Sequence, residues 1–192
     1  MKKGGLRLKD SLRLLFSGNS WVSIVFYILI FYLLIFYVIL PSLYLFTPVS
    51  DISAVVSGSM VHSYPAIQIT YYDWLSSHDF NSSVIKTWPF QNGIPIGSIA
   101  IAYKTPASSI KVGDVIIYYT SYDGLDEDII HRVVNETVIN GTYYYTTKGD
   151  ANPYSLPFEY NVPYSDVVGV VKNVIPYLGY PKYFVYLLSK SI

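Results

Sequence analysis

The chain has 192 residues, which is room for one domain and a membrane anchor. It contains no cysteine, which excludes disulfides, thiol catalysis and thiolate metal sites. Thirteen basic residues balance thirteen acidic ones, and the positive charge gathers near the N-terminus instead of forming a dense basic face, so nothing indicates nucleic-acid binding.

The first predicted element is a membrane-spanning helix. No charged residue occurs from Leu14 through Ser50, and residues 21–40 are almost wholly apolar or aromatic. Twenty helical residues span about 30 Å, the thickness of the hydrocarbon core of a bilayer. Pro41 should end or kink this helix, because proline removes a backbone donor.

Five of the thirteen basic residues lie directly before the apolar stretch, with Asp10 as the single acid among them: Lys2, Lys3, Arg7, Lys9 and Arg13. The positive-inside rule therefore predicts a single-pass protein of the cell membrane, with residues 1–20 cytoplasmic, an anchor at 21–46 and an extracytoplasmic domain at 47–175. A cleaved signal peptide is the alternative. The apolar stretch is longer than the usual signal-peptide core, and no small-x-small site follows it promptly, which favours a retained anchor.

The external part begins with a predicted strand at residues 51–56. Residues 61–96 contain several prolines and a turn-forming Asn92-Gly93 pair, so they are predicted to form a long insertion or lid with one short helix at 71–78. Long connections of this kind are either functional or disordered.

The remaining external sequence predicts a mostly β fold. Segments 98–103, 115–120, 129–138 and 167–175 are rich in Ile, Val and Tyr and are separated by turn residues. Asn140-Gly141 is a favoured two-residue hairpin turn between 133–139 and 142–147. The C-terminal segment, residues 176–192, is too short in its apolar part to span a membrane and should lie in the interface or pack on the domain.

The segment Ser57-Gly58-Ser59-Met60 follows the predicted anchor closely. A serine held just outside a bilayer could attack a peptide bond where that bond leaves the membrane. Nucleophilic serine catalysis needs a hydroxyl, a base and donors for the oxyanion. Ser59 or Ser57 would supply the hydroxyl, and Asp150 could orient a base. The candidate bases are His131, His62, His78, Lys104 and Lys111.

Each of these residues also has an ordinary structural interpretation. In a strand, His131 shares a face with Ile129 and Val133, as a buried histidine with satisfied hydrogen bonds would. Asp150 and the two serines are common turn residues. The scattered histidines do not resemble a metal site.

Five motifs, taken in order, resemble the conserved boxes of type I signal peptidases, peptidase family S26. They are Val55-Val56-Ser57-Gly58-Ser59-Met60, Lys111-Val112-Gly113-Asp114-Val115-Ile116, Ile130-His131-Arg132-Val133, Lys148-Gly149-Asp150-Ala151-Asn152, and Asp166-Val167-Val168-Gly169 followed by Ile175-Pro176-Tyr177-Leu178-Gly179. The resemblance covers roughly residues 52–180 and implies a signal-peptidase-like β catalytic domain.

The resemblance also implies roles. Ser59 would be the nucleophile, His131 the general base and then the acid for the leaving amine, and Asp150 would hold or polarise the site. Ser57 and the backbone N–H of Ser59 would form the oxyanion hole. Bacterial members carry lysine where this chain has His131, so the chain resembles the archaeal and endoplasmic-reticulum Ser-His branch. The lack of cysteine and of a partner-binding extension favours an archaeal source.

The sequence departs from the family pattern in two places. Met60 is followed by Val61-His62-Ser63 where many members have a proline-containing pair, which makes His62 a rival base. Members with histidine often carry a further aspartate six residues after the Gly-Asp pair, and this chain has Leu156 there. The nearest later acids are Glu159 and Asp166.

The sequence therefore predicts a membrane-bound serine endopeptidase that cleaves N-terminal signal peptides from exported preproteins. Its implied partners are preprotein signal peptides, the lipid bilayer and the protein translocation channel, with no metal or organic cofactor. An anchored β-domain for binding or surface-structure assembly, without catalysis, is the alternative. A peptidase of the same fold acting on another surface-protein precursor is a third hypothesis.

Overall fold

A computed structural model describes residues 16, 21–62, 65–122 and 124–190. The basic residues of the predicted cytoplasmic segment lie outside these ranges. The chain divides at Pro48 into two compact units, which are described separately.

The first unit is an apolar helix, built from α1 (Trp21–Leu34), one π-helical turn (Ile35–Ile39) and α2 (Leu40–Phe46). Its length and composition would allow it to cross a membrane, which agrees with the prediction. The helix does not end at Pro41. Instead the Leu40 N–H bonds to the Ile35 carbonyl one residue further back than in an α-helix, so the turn before the proline is wider.

The second unit is built on one seven-stranded antiparallel sheet, which confirms the mostly β prediction. The strands lie in the order β1-β2-β7-β3-β4-β5-β6. They are β1 (Val49–Ala54), β2 (Ile99–Tyr103), β3 (Val115–Tyr122), β4 (Leu125–Ile139), β5 (Thr142–Lys148), β6 (Val162–Pro163) and β7 (Val167–Ile175).

Strand β3 is the centre of the core, because both of its faces are buried. Val115 and Ile117 belong to one apolar cluster, and Ile116 and Tyr118 belong to another. The first cluster includes Met60, so the segment after β1 is fixed to the core by this side chain. Alternation along one strand therefore places a buried layer on each side of the sheet.

The predicted hairpin between β4 and β5 is confirmed. Ile139 pairs with Thr142, and the two turn residues Asn140 and Gly141 have φ values of 50° and 81°. Positive φ at both central positions is what a type I′ turn requires, and Asn-Gly is the pair that adopts it most easily.

The insertion at residues 61–96 is a packed helical element. It contains α3 (Pro65–Ser77) and α4 (Ser82–Ile85), so the helix predicted at 71–78 is longer than expected. Tyr71, Leu75, Ile85 and Trp88 form a small core of their own.

The two ends of this insertion close on each other beside the sheet. Val61 pairs with Gly93, and the Ile94 N–H donates to the Met60 carbonyl at 2.7 Å. Gly93 has φ +71°, and a Cβ there would lie 2.6 Å from Met60 O, so only glycine fits.

Candidate active site

Ser59 lies in a turn directly after β1. The strand pairing continues one step beyond β1, where the Val55 N–H donates to the Ser98 carbonyl at 2.9 Å. The side chain of Met60 is buried, while that of Ser59 is half-buried. The Ser59 carbonyl accepts the Ala151 N–H at 2.7 Å, and its Oγ lies 3.2 Å from Ser57 Oγ. The carbonyl of the serine is therefore held by the loop that contains Ala151, and its hydroxyl remains reachable.

His131 lies on β4, paired with Ile116 of β3, and its ring is buried. Its Nδ1 is 2.5 Å from Glu159 Oε1. Glu159 is fully buried in the 3-10 turn Pro157–Glu159, where its second oxygen accepts the Leu156 N–H at 2.5 Å. An ionised carboxylate only accepts hydrogen bonds, so in neutral His131 the proton lies on Nδ1 and Nε2 carries the free lone pair.

Ser59 and His131 line the same cleft, together with Ser57, Met60 and Tyr186. Among the described residues, Ser59 Oγ bonds to Ser57 Oγ and makes no hydrogen bond to His131. Catalytic hydrogen bonds are often long in ligand-free enzymes and tighten when substrate binds. The structure thus brings to one cleft two residues that are far apart in the sequence.

Gly149 makes room for the ring of His131. A Cβ at this position would lie 2.9 Å from His131 Nε2 and 2.7 Å from Asn152 Nδ2. The loop that carries Gly149 also carries Ala151, whose N–H holds the Ser59 carbonyl. One short loop therefore touches both residues of the pair.

Replacing Gly149 with Ala is expected to displace the His131 ring and to lower the rate of the peptide cleavage that the five motifs predict by about tenfold or more, since small misplacements of catalytic groups are costly. The free energy of unfolding should change little, because φ at Gly149 is not in the left-handed region and alanine can adopt it. Cleavage rates and denaturant midpoints of both proteins check this. Ala151→Gly is the control, because it changes the same loop without adding a Cβ. Gly124→Ala cannot serve as a control, because Gly124 has φ +78° and a side chain there is strained. An unchanged rate in Gly149→Ala would contradict this account of the loop.

Asp150 is buried, but it does not contact His131. Its Oδ1 accepts from Arg132 Nε at 2.9 Å, and its Oδ2 accepts from Arg132 Nη2 at 2.7 Å. His62 Nε2 lies 3.0 Å from the same Oδ2. Burial acts to raise the pKa of Asp150, but the charge of Arg132 and the hydrogen bond from His62 outweigh it, so the pKa is held below its ordinary value. The carboxylate beside His131 is that of Glu159, whereas Asp150 contacts Arg132 and His62.

His62 is also fully buried and lies away from the cleft-lining set. Its Nδ1 is 3.0 Å from the Gln91 carbonyl oxygen, and its Nε2 faces Asp150. Each ring nitrogen therefore already faces an oxygen atom, and His62 does not line the cleft that holds Ser59. His62 instead connects the helical insertion to the loop that contains Gly149.

The other predicted candidates lie apart from the cleft. His78 is exposed and stacks on Trp74 with ring centroids 3.9 Å apart. Lys104 is exposed, and exposed Lys111 donates to the Ser108 carbonyl at 2.9 Å. Asp166 bonds to its neighbour Ser165. Within the described ranges, no group of three acidic or histidine side chains is arranged to hold a metal ion.

Lys148 is a buried cation that the motif comparison did not single out. Its Nζ donates to the Gly149 carbonyl at 3.0 Å and lies 4.8 Å from the centre of the Trp74 ring. Burial lowers its pKa to about 8, against the opposing charges of Asp150 and Glu159. A lysine before a Gly-Asp pair gives no sequence signal of burial, because the ring above it comes from the insertion.

Ser59 and a buried histidine backed by a carboxylate line one cleft, and these are the groups that serine hydrolases use. No family model matches the chain. The chain is similar to the signal peptidase complex catalytic subunit SEC11 of three yeasts. It is 37% identical to the Candida tropicalis protein over 76 residues, 40% identical to the Lachancea thermotolerans protein over 78 residues and 42% identical to the Eremothecium gossypii protein over 77 residues.

In each comparison the match covers 36% of this chain and 45% of the relative, so the chain spans about half the length of the curated relatives it matches. These relatives confirm the resemblance to type I signal peptidases that the five motifs indicated. Because they are yeast proteins, they give no support to an archaeal source.

Proposed function

We propose that this chain is a membrane-anchored serine endopeptidase that removes N-terminal signal peptides from exported preproteins. The observation that carries the proposal is the shared cleft of Ser59 and His131, with Glu159 behind the imidazole. The similarity to signal peptidase catalytic subunits supports the substrate class.

In the proposed mechanism Ser59 Oγ attacks the scissile carbonyl while His131 Nε2 takes its proton. Buried Glu159 stabilises the imidazolium that forms and holds the ring in the productive tautomer. His131 then gives the proton to the leaving amine, and a water molecule hydrolyses the acyl-enzyme by the same route.

The tetrahedral intermediate needs donors for its oxyanion. Ser57 Oγ lies 3.2 Å from Ser59 Oγ, which is a suitable distance for a donor beside the reacting atom. The Ser59 N–H is the second proposed donor. Asp150 acts through the loop: its ion pair with Arg132 fixes the backbone of residues 149–151, which in turn holds the Ser59 carbonyl.

The scaffold also suits an extended substrate. Strand β1 is at the edge of the sheet and leads into the Ser59 turn, so a peptide can add beside it as a further strand. Ser59 follows the last residue of the apolar helix, Phe46, by 13 positions, so the tether keeps the nucleophile close to the bilayer. The N-terminus would be cytoplasmic and the catalytic unit extracytoplasmic, with the translocation channel as a neighbour.

The test is cleavage of a preprotein by the full-length protein in detergent or liposomes. Ser59→Ala and His131→Ala are expected to abolish cleavage at a small-x-small site while remaining folded. Ser109→Ala and His78→Ala are matched controls, because both side chains are exposed and lie outside the cleft. These controls should cleave at the wild-type rate.

Ser57→Ala should cleave faster than Ser59→Ala but more slowly than the controls. The expected loss of rate is about 10²- to 10³-fold if the Ser57 hydroxyl donates to the oxyanion. Wild-type protein that is inert on several preproteins, or Ser59→Ala protein that cleaves normally, would refute the proposal and favour the non-catalytic binding domain.

A further inference from the structure

One wall of the cleft comes from outside the five motifs. Helix α5 (Tyr180–Lys190) follows the last of them and places Tyr186 in the cleft beside Ser59 and His131. The remaining lining comes from residues 54–60 and from β4. It combines apolar side chains such as Ala54, Val56 and Ile129 with the exposed carboxylates Glu127 and Asp128. A tyrosine from a separate helix therefore forms part of the wall of the recess at Ser59.

The start of this helix is fixed against the segment that pairs with β1. The Gly179 N–H donates to the Gly97 carbonyl at 2.8 Å, and the Gly97 N–H donates to the Val55 carbonyl at 2.9 Å. Both glycines are needed for this approach. A Cβ at Gly179 would lie 2.4 Å from Ser98 O, and a Cβ at Gly97 would lie 2.8 Å from the Tyr180 ring.

Three tyrosines at helical spacing form the half-buried side of α5: Tyr180, Tyr183 and Tyr186. In contrast Phe184, Val185 and Leu188 are exposed. Residues three apart are neighbours on a helix surface, so the anchored Tyr180 sets where Tyr186 lies six residues, or about 1.7 turns, later. The position of the wall is thus linked to the backbone that carries Ser59.

We propose that Tyr186 determines the size of the substrate side chain that the cleft accepts. With the phenol ring in place, the recess suits a small neutral residue on the acyl side of the scissile bond, and a branched side chain is excluded by contact with the ring. This inference rests on the proposed peptidase function and assigns the selectivity to a residue outside the motifs. One extra or missing methylene group in a hydrophobic pocket changes selectivity by about 10- to 200-fold.

The experiment measures kcat/KM of the full-length protein on one preprotein carrying Ala, Val or Leu at position −1, and on a second series varied at −3. Wild type should prefer Ala in at least one series. In that series Tyr186→Ala should raise the Leu-to-Ala ratio of kcat/KM by about tenfold or more. Tyr186→Phe should keep the wild-type ratio.

Tyr186→Trp should move the ratio the opposite way, and it keeps the test decisive if Tyr186→Ala fails to fold. Tyr183→Ala is the matched control, because Tyr183 lies on the same helix face and does not line the cleft. Unchanged ratios in folded Tyr186→Ala and Tyr186→Trp proteins would overturn the inference alone. A wild type that cleaves no substrate in either series would overturn the proposed function together with it.

Discussion

Glu159→Gln is expected to lower preprotein cleavage by about 10²- to 10⁴-fold, as the loss of the orienting carboxylate does in serine hydrolases. The reason lies in the two bonds that Glu159 makes. One oxygen faces His131 Nδ1, and the other accepts the Leu156 N–H. If the glutamine oxygen keeps the Leu156 bond, its NH₂ donates to His131 Nδ1 and the proton moves to Nε2, where the base must be free.

The opposite amide orientation keeps the correct tautomer of His131, but then the glutamine NH₂ opposes the Leu156 N–H. Either arrangement also removes the charge that stabilises the imidazolium. Initial rates of preprotein cleavage measure the effect, with denaturant unfolding run in parallel to show that the protein is folded. Glu136→Gln is the control, because this glutamate lies further along β4 than His131 and does not line the cleft. A Glu159→Gln protein that cleaves within about twofold of wild type would remove Glu159 from the mechanism.

The contrast between Glu159 and Ser59 shows what the sequence could reveal. Ser59 and His131 could be proposed from the sequence because each lies in a short motif whose order along the chain is informative. Glu159 lies 28 positions after His131 in a 3-10 turn and belongs to none of the five motifs. The only signal was indirect: Leu156 occupies the place of an expected acid, and Glu159 is the next acid along the chain.

Local chemistry decided which parts of the fold were predictable. The Asn140-Gly141 turn and strand β7 at Val167–Ile175 agree with the sequence prediction, because turn type and β-branched content act over a few residues. Helix α3 was predicted too short because Pro65 was taken as a breaker. Proline at the first turn of a helix removes no intrahelical bond, and α3 begins at this residue.

The buried ionic network could not be predicted, since its members are far apart in the sequence. Asp150 was expected to hold or polarise the site because its motif resembles the aspartate box of the family. In the structure the neighbour of His131 in sequence, Arg132, takes the carboxylate instead. Adjacent strand residues point to opposite faces, so His131 faces the cleft side and Arg132 faces the insertion. That alternation separates the roles of Glu159 and Asp150.

Asp150→Asn is expected to lower the free energy of unfolding by about 3–5 kcal/mol at neutral pH, because it leaves the buried guanidinium of Arg132 without its counter-charge. Arg132 is fully buried, and its remaining bonds are to the carbonyls of Pro89 and Gly113. Denaturant unfolding of the full-length protein in detergent, followed by tryptophan fluorescence, measures the change. Asp126→Asn is the matched control, since this exposed carboxylate bonds only a tyrosine hydroxyl and a nearby serine.

The pH dependence of this difference gives a second readout. The pKa of Asp150 is lowered in the folded protein, so its ionisation stabilises the fold above the unfolded-state pKa of about 3.9 and this contribution is lost as pH falls through the lower folded value. The gap between wild type and Asp150→Asn should therefore be full at pH 5–8 and shrink below about pH 4. Asp126→Asn should stay within about 0.5 kcal/mol of wild type at neutral pH.

A double variant separates the orphaned charge from the lost hydrogen bonds. If the cost comes from unpaired Arg132, then adding Arg132→Met to Asp150→Asn should recover part of the stability, because replacing a buried ion pair by apolar groups is often neutral. The ring centres of Tyr71 and Trp88 lie 5.6 Å and 5.8 Å from Arg132 Cζ, so both rings would pack against the methionine. A double variant less stable than Asp150→Asn alone, or a single variant within 1 kcal/mol of wild type, would mean that the Arg132–Asp150 pair does not hold this loop. The backbone contact between residues 149–151 and Ser59 would then need another support.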